Sequence, residues 1–137
     1  MNEPINVSNE VLDPPKNPRN VVKKFAFATR VGHDPRNLDR SNEDAFILAP
    51  NLQDRQALHM FGVCDGNGPH GKESANFCKY GLNKAIENNF PGEGVEDAAS
   101  IIKALKNSFA AVHYAMKQNV PDASYSGSTG CCVLTLG

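Results

Sequence analysis

The sequence predicts an α+β (α/β) fold in one domain. Its 137 residues suit a single compact domain. Short apolar runs bounded by turn residues, such as residues 58–64, predict β-strands. Two longer segments place apolar side chains at helical spacing, which predicts α-helices. The apolar content is typical of globular proteins, so the chain is not disordered as a whole.

Residues 1–22 are predicted to form a flexible tail, followed by a partial domain over residues 23–137. The first 20 residues contain four prolines and five asparagines, a composition that disfavours helix interiors and central strands. They have no apolar core, so they do not form a secretory signal, and Asn2 excludes N-myristoylation, which needs glycine there. We therefore expect a cytoplasmic or nuclear protein.

Three strands are predicted before the first helix. Phenylalanine, threonine and valine alternate with smaller or polar residues over 25–31, which predicts the first strand. A loop over 32–40, rich in Asp, Asn and Pro, separates it from a second strand at 45–49 and a third at 58–64. The last two strands are short and bounded by turn residues, and both are expected to be buried.

Two helices are predicted after the strands. The first covers residues 72–88, where apolar residues recur at helical spacing. The second has Glu96 and Asp97 in its first turn and ends before Pro121. The apolar stripe of the second helix is expected to face the core and consists of Ala98, Ile102, Leu105, Phe109, Val112 and Met116.

The sequence ends on an apolar segment. Small residues at 124–130 predict a turn, and residues 131–136 predict a fourth strand that stops at Gly137. An apolar strand at a sheet edge exposes unpaired backbone groups. We therefore expect a truncated domain, a fragment or an obligate assembly, completed by self-association or by a missing C-terminal half.

Charge and hydropathy exclude several functions. Fourteen basic residues oppose fifteen acidic ones, and no basic run offers a surface to nucleic acid or to anionic lipid. No apolar stretch reaches the roughly 18 residues that a membrane-spanning helix needs. The four cysteines show neither Cys-x-x-Cys nor zinc-ligand spacing, so buried free thiols are expected.

The loop after the third strand reads Asp-Gly-Asn-Gly-Pro-His-Gly over residues 65–71. Its glycine spacing matches the dinucleotide-binding fingerprint Gly-x-Gly-x-x-Gly. However, Asp65 would bring a carboxylate to the pyrophosphate, and the next two segments are both helices, so the second parallel strand of that fold is missing. We therefore expect no nucleotide-dependent rise in Tm.

A carboxylate followed by glycines suits a hard cation better. Mg²⁺ and Mn²⁺ prefer oxygen ligands and keep several waters, so one or two carboxylates and a backbone carbonyl suffice. A second acidic segment, Arg-Ser-Asn-Glu-Asp-Ala over residues 40–45, leads into the second strand. Taken singly, each segment is more simply interpreted as a polar turn.

Taken together, the segments resemble the PPM family, the metal-dependent type 2C protein serine/threonine phosphatases. The first motif is Arg-x-x-Glu-Asp-Ala at the entry to a strand, and the second is Phe-Gly-Val-x-Asp-Gly-x-Gly-Pro-x-Gly at the exit from the next. The third, Ser-Gly-Ser-Thr-Gly, follows two helices. The resemblance covers residues 25–137. It implies an α-β-β-α sandwich of mainly antiparallel sheets, truncated here after the second helix and the following strand.

The resemblance also implies a site for two Mg²⁺ or Mn²⁺ ions. On this likeness Asp65 would bridge the two ions, and the backbone carbonyl of Gly66 would bind one of them. Glu43 would hold a metal-bound water, and Asp44 would support that water shell. Such ions lower the pKa of a bound water and stabilise charge on a transferring phosphoryl group.

The substrate side of the implied site departs from the family pattern. Arg40 is the best match for the arginine that clamps the substrate phosphate, and Arg30 and Arg36 are less well-placed alternatives. Asn67 stands where the family has a histidine that protonates the leaving alkoxide, and a carboxamide cannot act as a general acid. His70, three residues further on, could replace that histidine, but it is more simply interpreted as a surface histidine at a helix entry.

The leading interpretation is the N-terminal half of a Mg²⁺- or Mn²⁺-dependent protein serine/threonine phosphatase domain, a hydrolase of phosphoserine and phosphothreonine in phosphoprotein substrates. The family's remaining metal aspartates follow the strand at which this sequence stops, so the isolated chain is expected to be weakly active or inactive. The alternative is a catalytically dead phosphatase-like module that binds a phosphoprotein or another partner.

Overall fold

A computed structural model of the chain describes residues 21–33, 35–36 and 41–137. The fold is α+β, as the sequence predicts, with an antiparallel sheet and two helices. One helix packs against a face of the sheet, and the second helix packs against the first. Nearly all of the predicted tail lies outside the described residues, so its flexibility stays a prediction.

The sheet is built around one long central strand. The strands are β1 (Asp44–Ala49), β2 (Leu58–Asn67), β3 (Gly127–Ser128) and β4 (Cys131–Leu136), and the helices are α1 (Gly71–Asn89) and α2 (Ala98–Asn119). β1 pairs with one edge of β2, while β4 and then β3 pair with the other, and all pairs are antiparallel. A short 3-10 helix, Leu52–Asp54, lies between β1 and β2.

β2 continues past its predicted end at residue 64. Asp65 pairs with Asp44 of β1, while Gly66 and Asn67 pair with β3. The prediction of a loop that begins at residue 65 is therefore wrong. The ladder continues because β1 and β3 both reach this part of β2, and β3 lies about 60 residues further along the chain.

The predicted first strand, residues 25–31, is not a strand in the structure. The Phe25 ring lies 5.0 Å from the Phe61 ring on β2, and the Phe27 ring lies 4.5 Å from the Phe46 ring on β1, measured between centroids. The alternating phenylalanines therefore rest on rings of two different strands. Aromatic contacts, rather than ladder pairing, hold this segment against the sheet.

The core lies between the sheet and α1. β1 and β2 alternate inward and outward residues, and the inward ones meet one face of α1. The largest fully buried apolar side chains of this core are Ile47, Leu52, Leu58, Met60, Cys64, Leu82 and Ile86. The first helix matches its predicted span to within one residue at each end, because its apolar spacing is a direct consequence of packing on this sheet.

The apolar stripe predicted for α2 is only partly buried. Ile102 is 52% exposed and Phe109 is 37% exposed, so the prediction that they face the core is wrong. Val112 and Met116 of the predicted stripe are buried, and Ala104 and Ser108, which the prediction did not include, complete the buried face of α2. The reason is that α2 packs mainly on α1, where Gly81 lets the helices approach: a Cβ at Gly81 would lie 3.1 Å from both Val112 methyl carbons.

The cysteines are free thiols in different environments. Cys64 and Cys78 are buried, as expected, whereas Cys131 is exposed and Cys132 is half-buried. Burial, with a smaller effect of Cys78 and Cys132, raises the pKa of the Cys64 thiol to about 12. Among the residues that the structure describes, no helix has the length and apolarity that crossing a membrane requires.

Candidate functional site

Two aspartates face each other across β1 and β2. Asp44 and Asp65 are direct partners in the antiparallel register, and both residues are exposed. Residues in such a position have Cβ atoms about 4.5–5.5 Å apart, so two negative charges there repel each other. A cation between the two carboxylates would remove this repulsion, which makes this end of the sheet a candidate cation site.

Both aspartates line a cavity of about 330 Å³. Its walls come from the segment before β1, from the start of β1 and from the second half of β2. The lining residues are Ala28, Thr29, Arg30, Asp44, Ala45, Phe46, Val63, Cys64 and Asp65. The cavity therefore combines two carboxylates with one guanidinium. This combination suits a phosphate ester whose charge is shared between a cation and an arginine.

The three candidate arginines end up in different places. Arg30 lines the cavity, because Phe25 and Phe27 hold its segment against the sheet. Arg36 is exposed and is not among the residues that line it. Arg40 lies outside the described residues, so its role as a phosphate clamp stays a prediction. Within the described part of the chain, Arg30 is the arginine that meets the cavity.

Asn42 fixes the entry to β1, a role that the sequence analysis missed. Its Oδ1 accepts a hydrogen bond from the Asp44 N–H at 3.1 Å, and its Nδ2 donates to Thr29 Oγ1 at 2.7 Å. The first bond is an Asx turn, for which asparagine two residues before the turn's end is a recognisable signal. The second ties the cavity wall at Thr29 to the start of the strand that carries Asp44.

Glu43 points away from this cavity. Neighbouring residues on extended chain point to opposite sides, and the Glu43 carboxylate reaches the start of α1, where a Cβ at Gly71 would lie 2.4 Å from Glu43 Oε2. Glu43 therefore does not join the cluster of Asp44 and Asp65. In residues 21–33, 35–36 and 41–137, no group of three or more His, Cys, Asp or Glu side chains could hold a metal ion.

Gly66 lies in a space that admits no side chain. A Cβ there would lie 2.1 Å from the Gly71 carbonyl oxygen and 2.9 Å from the Glu43 carbonyl oxygen. The backbone after Asp65 is thus enclosed between the entry to β1 and the first turn of α1. Glycine is required at this position because the three backbone segments approach each other closely.

The Ser-Gly-Ser-Thr-Gly segment, residues 126–130, forms hydrogen bonds with both ends of residues 65–70. The Thr129 N–H donates to the Asp65 carbonyl at 2.9 Å, and the Asp65 N–H donates to Thr129 Oγ1 at 3.1 Å. At the other end, the His70 N–H donates to Ser126 Oγ at 2.9 Å. The sequence indicated a turn here, but its hydrogen bonds to the loop are visible only in three dimensions.

Asn67 and His70 both lie outside the cavity lining. Asn67 is exposed, and its Oδ1 lies beside Gly127, 3.6 Å from where a Cβ would stand on that glycine. His70 Nε2 lies 3.8 Å from Asp122 Oδ2. The imidazole of His70 therefore faces Asp122 rather than the two aspartates, and the cavity is lined by carboxylates and a guanidinium without an imidazole.

The residues present fit a hard divalent cation. Mg²⁺ needs only one or two carboxylates, because it keeps several of its waters. Asp44 and Asp65 supply two opposed carboxylates, whereas Gly66 is not among the residues that line the cavity, so the role of its carbonyl stays a prediction. The fit does not extend to a third carboxylate from the described residues.

Comparison with known proteins identifies the family. The family model for protein phosphatase 2C matches residues 29–137. The chain belongs to the protein phosphatase 2C family. It is similar to "Probable protein phosphatase 2C 35" of Arabidopsis thaliana, with 29% identity over 113 residues, which is 82% of this chain and 31% of that protein. This protein phosphatase 2C chain thus spans about a third of the length of that relative, and the resemblance seen in its three motifs is confirmed.

Proposed function

We propose that the chain forms the N-terminal part of a Mg²⁺- or Mn²⁺-dependent protein serine/threonine phosphatase, acting on phosphoserine and phosphothreonine in phosphoprotein substrates. The observation that carries the proposal is the placement of Asp44 and Asp65 opposite each other on a cavity that Arg30 also lines. Membership of the protein phosphatase 2C family supports the class of reaction.

Each charged side chain at the cavity has a role in this proposal. A bound Mg²⁺ or Mn²⁺ would supply a water of lowered pKa and positive charge for the phosphoryl oxygens. Asp65 would hold the cation together with the Gly66 carbonyl, and Asp44 would orient the surrounding waters. Arg30 would orient the substrate phosphate, because a guanidinium can donate two parallel hydrogen bonds to phosphate oxygens.

Weak or absent turnover is proposed for the 137-residue chain alone. Residues 131–137 carry no carboxylate side chain, so the part of the chain after Thr129 adds no further carboxylate ligand. Asn67 cannot protonate a leaving alkoxide, and the loss of a general acid slows such a step by about 10²–10⁴-fold. Self-association or a C-terminal half would therefore complete the site.

The proposal is tested by Mn²⁺ binding and by hydrolysis of a phosphothreonine peptide. The purified chain should bind Mn²⁺ in an electron paramagnetic resonance titration, and Asp65→Asn should remove that binding. Any phosphate release should require Mn²⁺, stop with EDTA and disappear in Asp65→Asn. A folded chain that binds no Mn²⁺ at millimolar concentration would contradict the proposal.

A second candidate function is a non-catalytic module that binds a phosphoprotein. Asn67 favours this candidate, because its amide stands in place of a proton donor. Within the described residues, no third metal-ligating side chain joins Asp44 and Asp65, which favours it too. This candidate predicts that the phosphothreonine peptide binds equally well with EDTA and in Asp65→Asn, with Arg30→Ala weakening binding. The phosphatase proposal predicts that EDTA and Asp65→Asn both change the binding.

A further inference from the structure

Asn42 joins two walls of the aspartate cavity, although it is not among the residues that line it. Its Nδ2 donates to Thr29 Oγ1 at 2.7 Å, and its Oδ1 accepts from the Asp44 N–H at 3.1 Å. Thr29 and Asp44 both line the cavity, one on the segment before β1 and the other at the start of β1. One half-buried side chain thus connects the wall that carries Arg30 to the wall that carries Asp44.

Asparagine suits this position because its side chain both donates and accepts hydrogen bonds. A backbone N–H can only donate, so the Asn42 atom that faces the Asp44 N–H must be the carbonyl oxygen. This contact fixes the orientation of the amide and leaves its NH₂ group directed at Thr29. Leucine, of similar size, would form neither bond, and an ionised aspartate has no hydrogen to donate.

The bond to Thr29 acts on Arg30, the next residue in the chain. The segment over 25–31 is not a strand, and Phe25 and Phe27 hold it against the sheet by ring contacts. Apolar burial is non-directional, so it holds the segment down without fixing its position along the sheet. A hydrogen bond prefers a narrow range of distance and angle. The bond from Asn42 therefore fixes the chain one residue before the guanidinium.

We propose that Asn42 is a positioning residue, which sets the location of Arg30 relative to Asp44 and thereby the affinity for a phosphorylated peptide. The inference rests on the proposed function, in which Arg30 orients the substrate phosphate. A guanidinium that donates two parallel hydrogen bonds depends on its position more than a point charge does. Loss of one ordinary hydrogen bond changes an equilibrium by about fivefold, which sets the size of the expected effect.

Thr29→Val tests the link and leaves the Asx turn between Asn42 and Asp44 intact. Valine keeps the shape of threonine but has no acceptor for Asn42 Nδ2. In fluorescence anisotropy with a labelled phosphothreonine peptide and saturating Mn²⁺, the peptide affinity should fall about fivefold. Mn²⁺ affinity, measured by electron paramagnetic resonance, should stay within about twofold, because neither carboxylate is changed. Thr29→Ser retains the hydroxyl and should behave like the unmodified chain.

Asn42→Ala removes both hydrogen bonds and should weaken peptide affinity by at least about fivefold. Asn76→Ala is the matched control. Asn76 is also half-buried, and its Nδ2 donates to the Lys72 carbonyl at 2.9 Å on α1, but it does not line the cavity. The control should leave the affinities for peptide and for Mn²⁺ unchanged. Thermal melts without peptide check that each variant is folded.

A double-variant cycle separates positioning of Arg30 from a direct contact of Thr29 with the peptide, since Thr29 also lines the cavity. Arg30→Ala should weaken peptide binding. Adding Thr29→Val to Arg30→Ala should then cause no further loss, because no guanidinium remains to be positioned. A further loss as large as that of Thr29→Val alone would show a direct contact and overturn the inference.

The remaining outcomes separate this inference from the proposed function. If Thr29→Val or Asn42→Ala binds the peptide like the unmodified chain, the inference is wrong, while Asp65-dependent Mn²⁺ binding still supports the cation site. It is also wrong if Thr29→Val weakens Mn²⁺ binding as much as peptide binding, since that would indicate a general loss of structure.

Two results would reach beyond Asn42. If Arg30→Ala does not weaken peptide binding, both the inference and the role of Arg30 are wrong. If the unmodified chain binds neither Mn²⁺ nor the peptide, the proposed function fails as well. Weaker peptide binding in Thr29→Val and Asn42→Ala, with Mn²⁺ affinity retained in Thr29→Val and no added loss beside Arg30→Ala, supports the inference.

Discussion

Charged side chains are arranged in opposite ways at the two ends of β2. At the end near Leu58, the Arg55 guanidinium pairs with the Glu96 carboxylate, and both side chains are largely buried, at 17% and 10% exposed. Arg55 also donates to the Pro91 carbonyl at 3.4 Å. At the other end, Asp44 and Asp65 carry like charges in direct opposition and face a cavity.

The hydrogen bonds at the two ends of β2 differ as well: side chains are paired at one end and left open at the other. Gln53 Nε2 donates to the Glu87 and Phe90 carbonyls at 2.8 and 2.9 Å, which satisfies backbone acceptors at the end of α1. At the aspartate end, the hydrogen bonds of Thr129 reach only the backbone of Asp65. The first end thus stabilises the fold, while the second leaves its carboxylates open to a ligand at some cost in stability.

The largest effect is expected at the aspartate end of β2, where one substitution should weaken Mn²⁺ binding without lowering stability. Asp65→Asn should weaken Mn²⁺ binding by at least about 100-fold. The same change should leave Tm unchanged or raise it, because it removes a repulsion of about 0.2–1 kcal/mol between opposed charges. Titration by electron paramagnetic resonance and a thermal melt without metal would measure both. Retained Mn²⁺ binding together with a lower Tm would show that Asp65 stabilises the fold and does not bind the cation.

The opposite result is expected at the Arg55 end. Arg55→Ala removes the partner of Glu96 and the donor to Pro91, so Tm should fall by about 5 °C, while Mn²⁺ affinity stays within about twofold. Lys103→Ala on exposed α2 serves as the control for loss of one positive charge. An unchanged Tm for Arg55→Ala would show that this end contributes no more stability than an ordinary surface.

Thr129→Val tests the brace between the two motifs. The variant keeps the shape but leaves the Asp65 N–H without its side-chain acceptor. We expect a loss of about 1 kcal/mol in the free energy of unfolding and an approximately tenfold weaker Mn²⁺ affinity. Thr129→Ser retains the acceptor and should restore both. Equal behaviour of the two variants would argue against the hydrogen bond as the cause.

The smallest expected effect is a dependence of the free energy of unfolding on pH. Hydrogen bonds from the Ser100 side chain and backbone to Asp97 lower the pKa of that carboxyl in the folded chain. Its stabilisation is therefore complete above the unfolded pKa of about 4 and is lost as pH falls through the lower folded value. In urea melts from pH 6 to 3, the free energy of unfolding should decline less for Asp97→Asn than for the unmodified chain; the variant keeps a competent N-cap. An identical decline in both chains would show that Asp97 does not contribute to the pH dependence of stability.

Local periodicity predicted the fold better than the site. The span of α1 follows from residue spacing alone, because one face of the helix meets one sheet. The burial of α2 does not, since Ile102 and Phe109 lie on its predicted stripe but remain exposed. The alternation at 25–31 is real, yet it reflects ring contacts with two strands and not a ladder.

The site motifs identified the family, but the geometry depends on contacts between distant residues. Nearness to Glu43 in sequence favoured Arg40, while packing of Phe27 on Phe46 brings Arg30 to the cavity. Glu43 and Asp44 are adjacent in sequence, and the extended chain sends them to opposite sides. The opposition of Asp44 and Asp65 depends on the register of β1 with β2, which no local pattern specifies.

The brace between Thr129 and Asp65 also sets an order of assembly. The two residues are 64 positions apart, whereas β1, β2 and α1 are consecutive in the chain and form from more local contacts. Contacts between distant residues form late in folding, because closing the intervening loop costs entropy first. A nascent chain that has emerged from the ribosome only as far as α2 would thus hold a folded hairpin and helix with Asp65 still unclamped. In this order of events, the hydrogen bonds from Thr129 to the backbone of Asp65 are the last part of the candidate cation site to form.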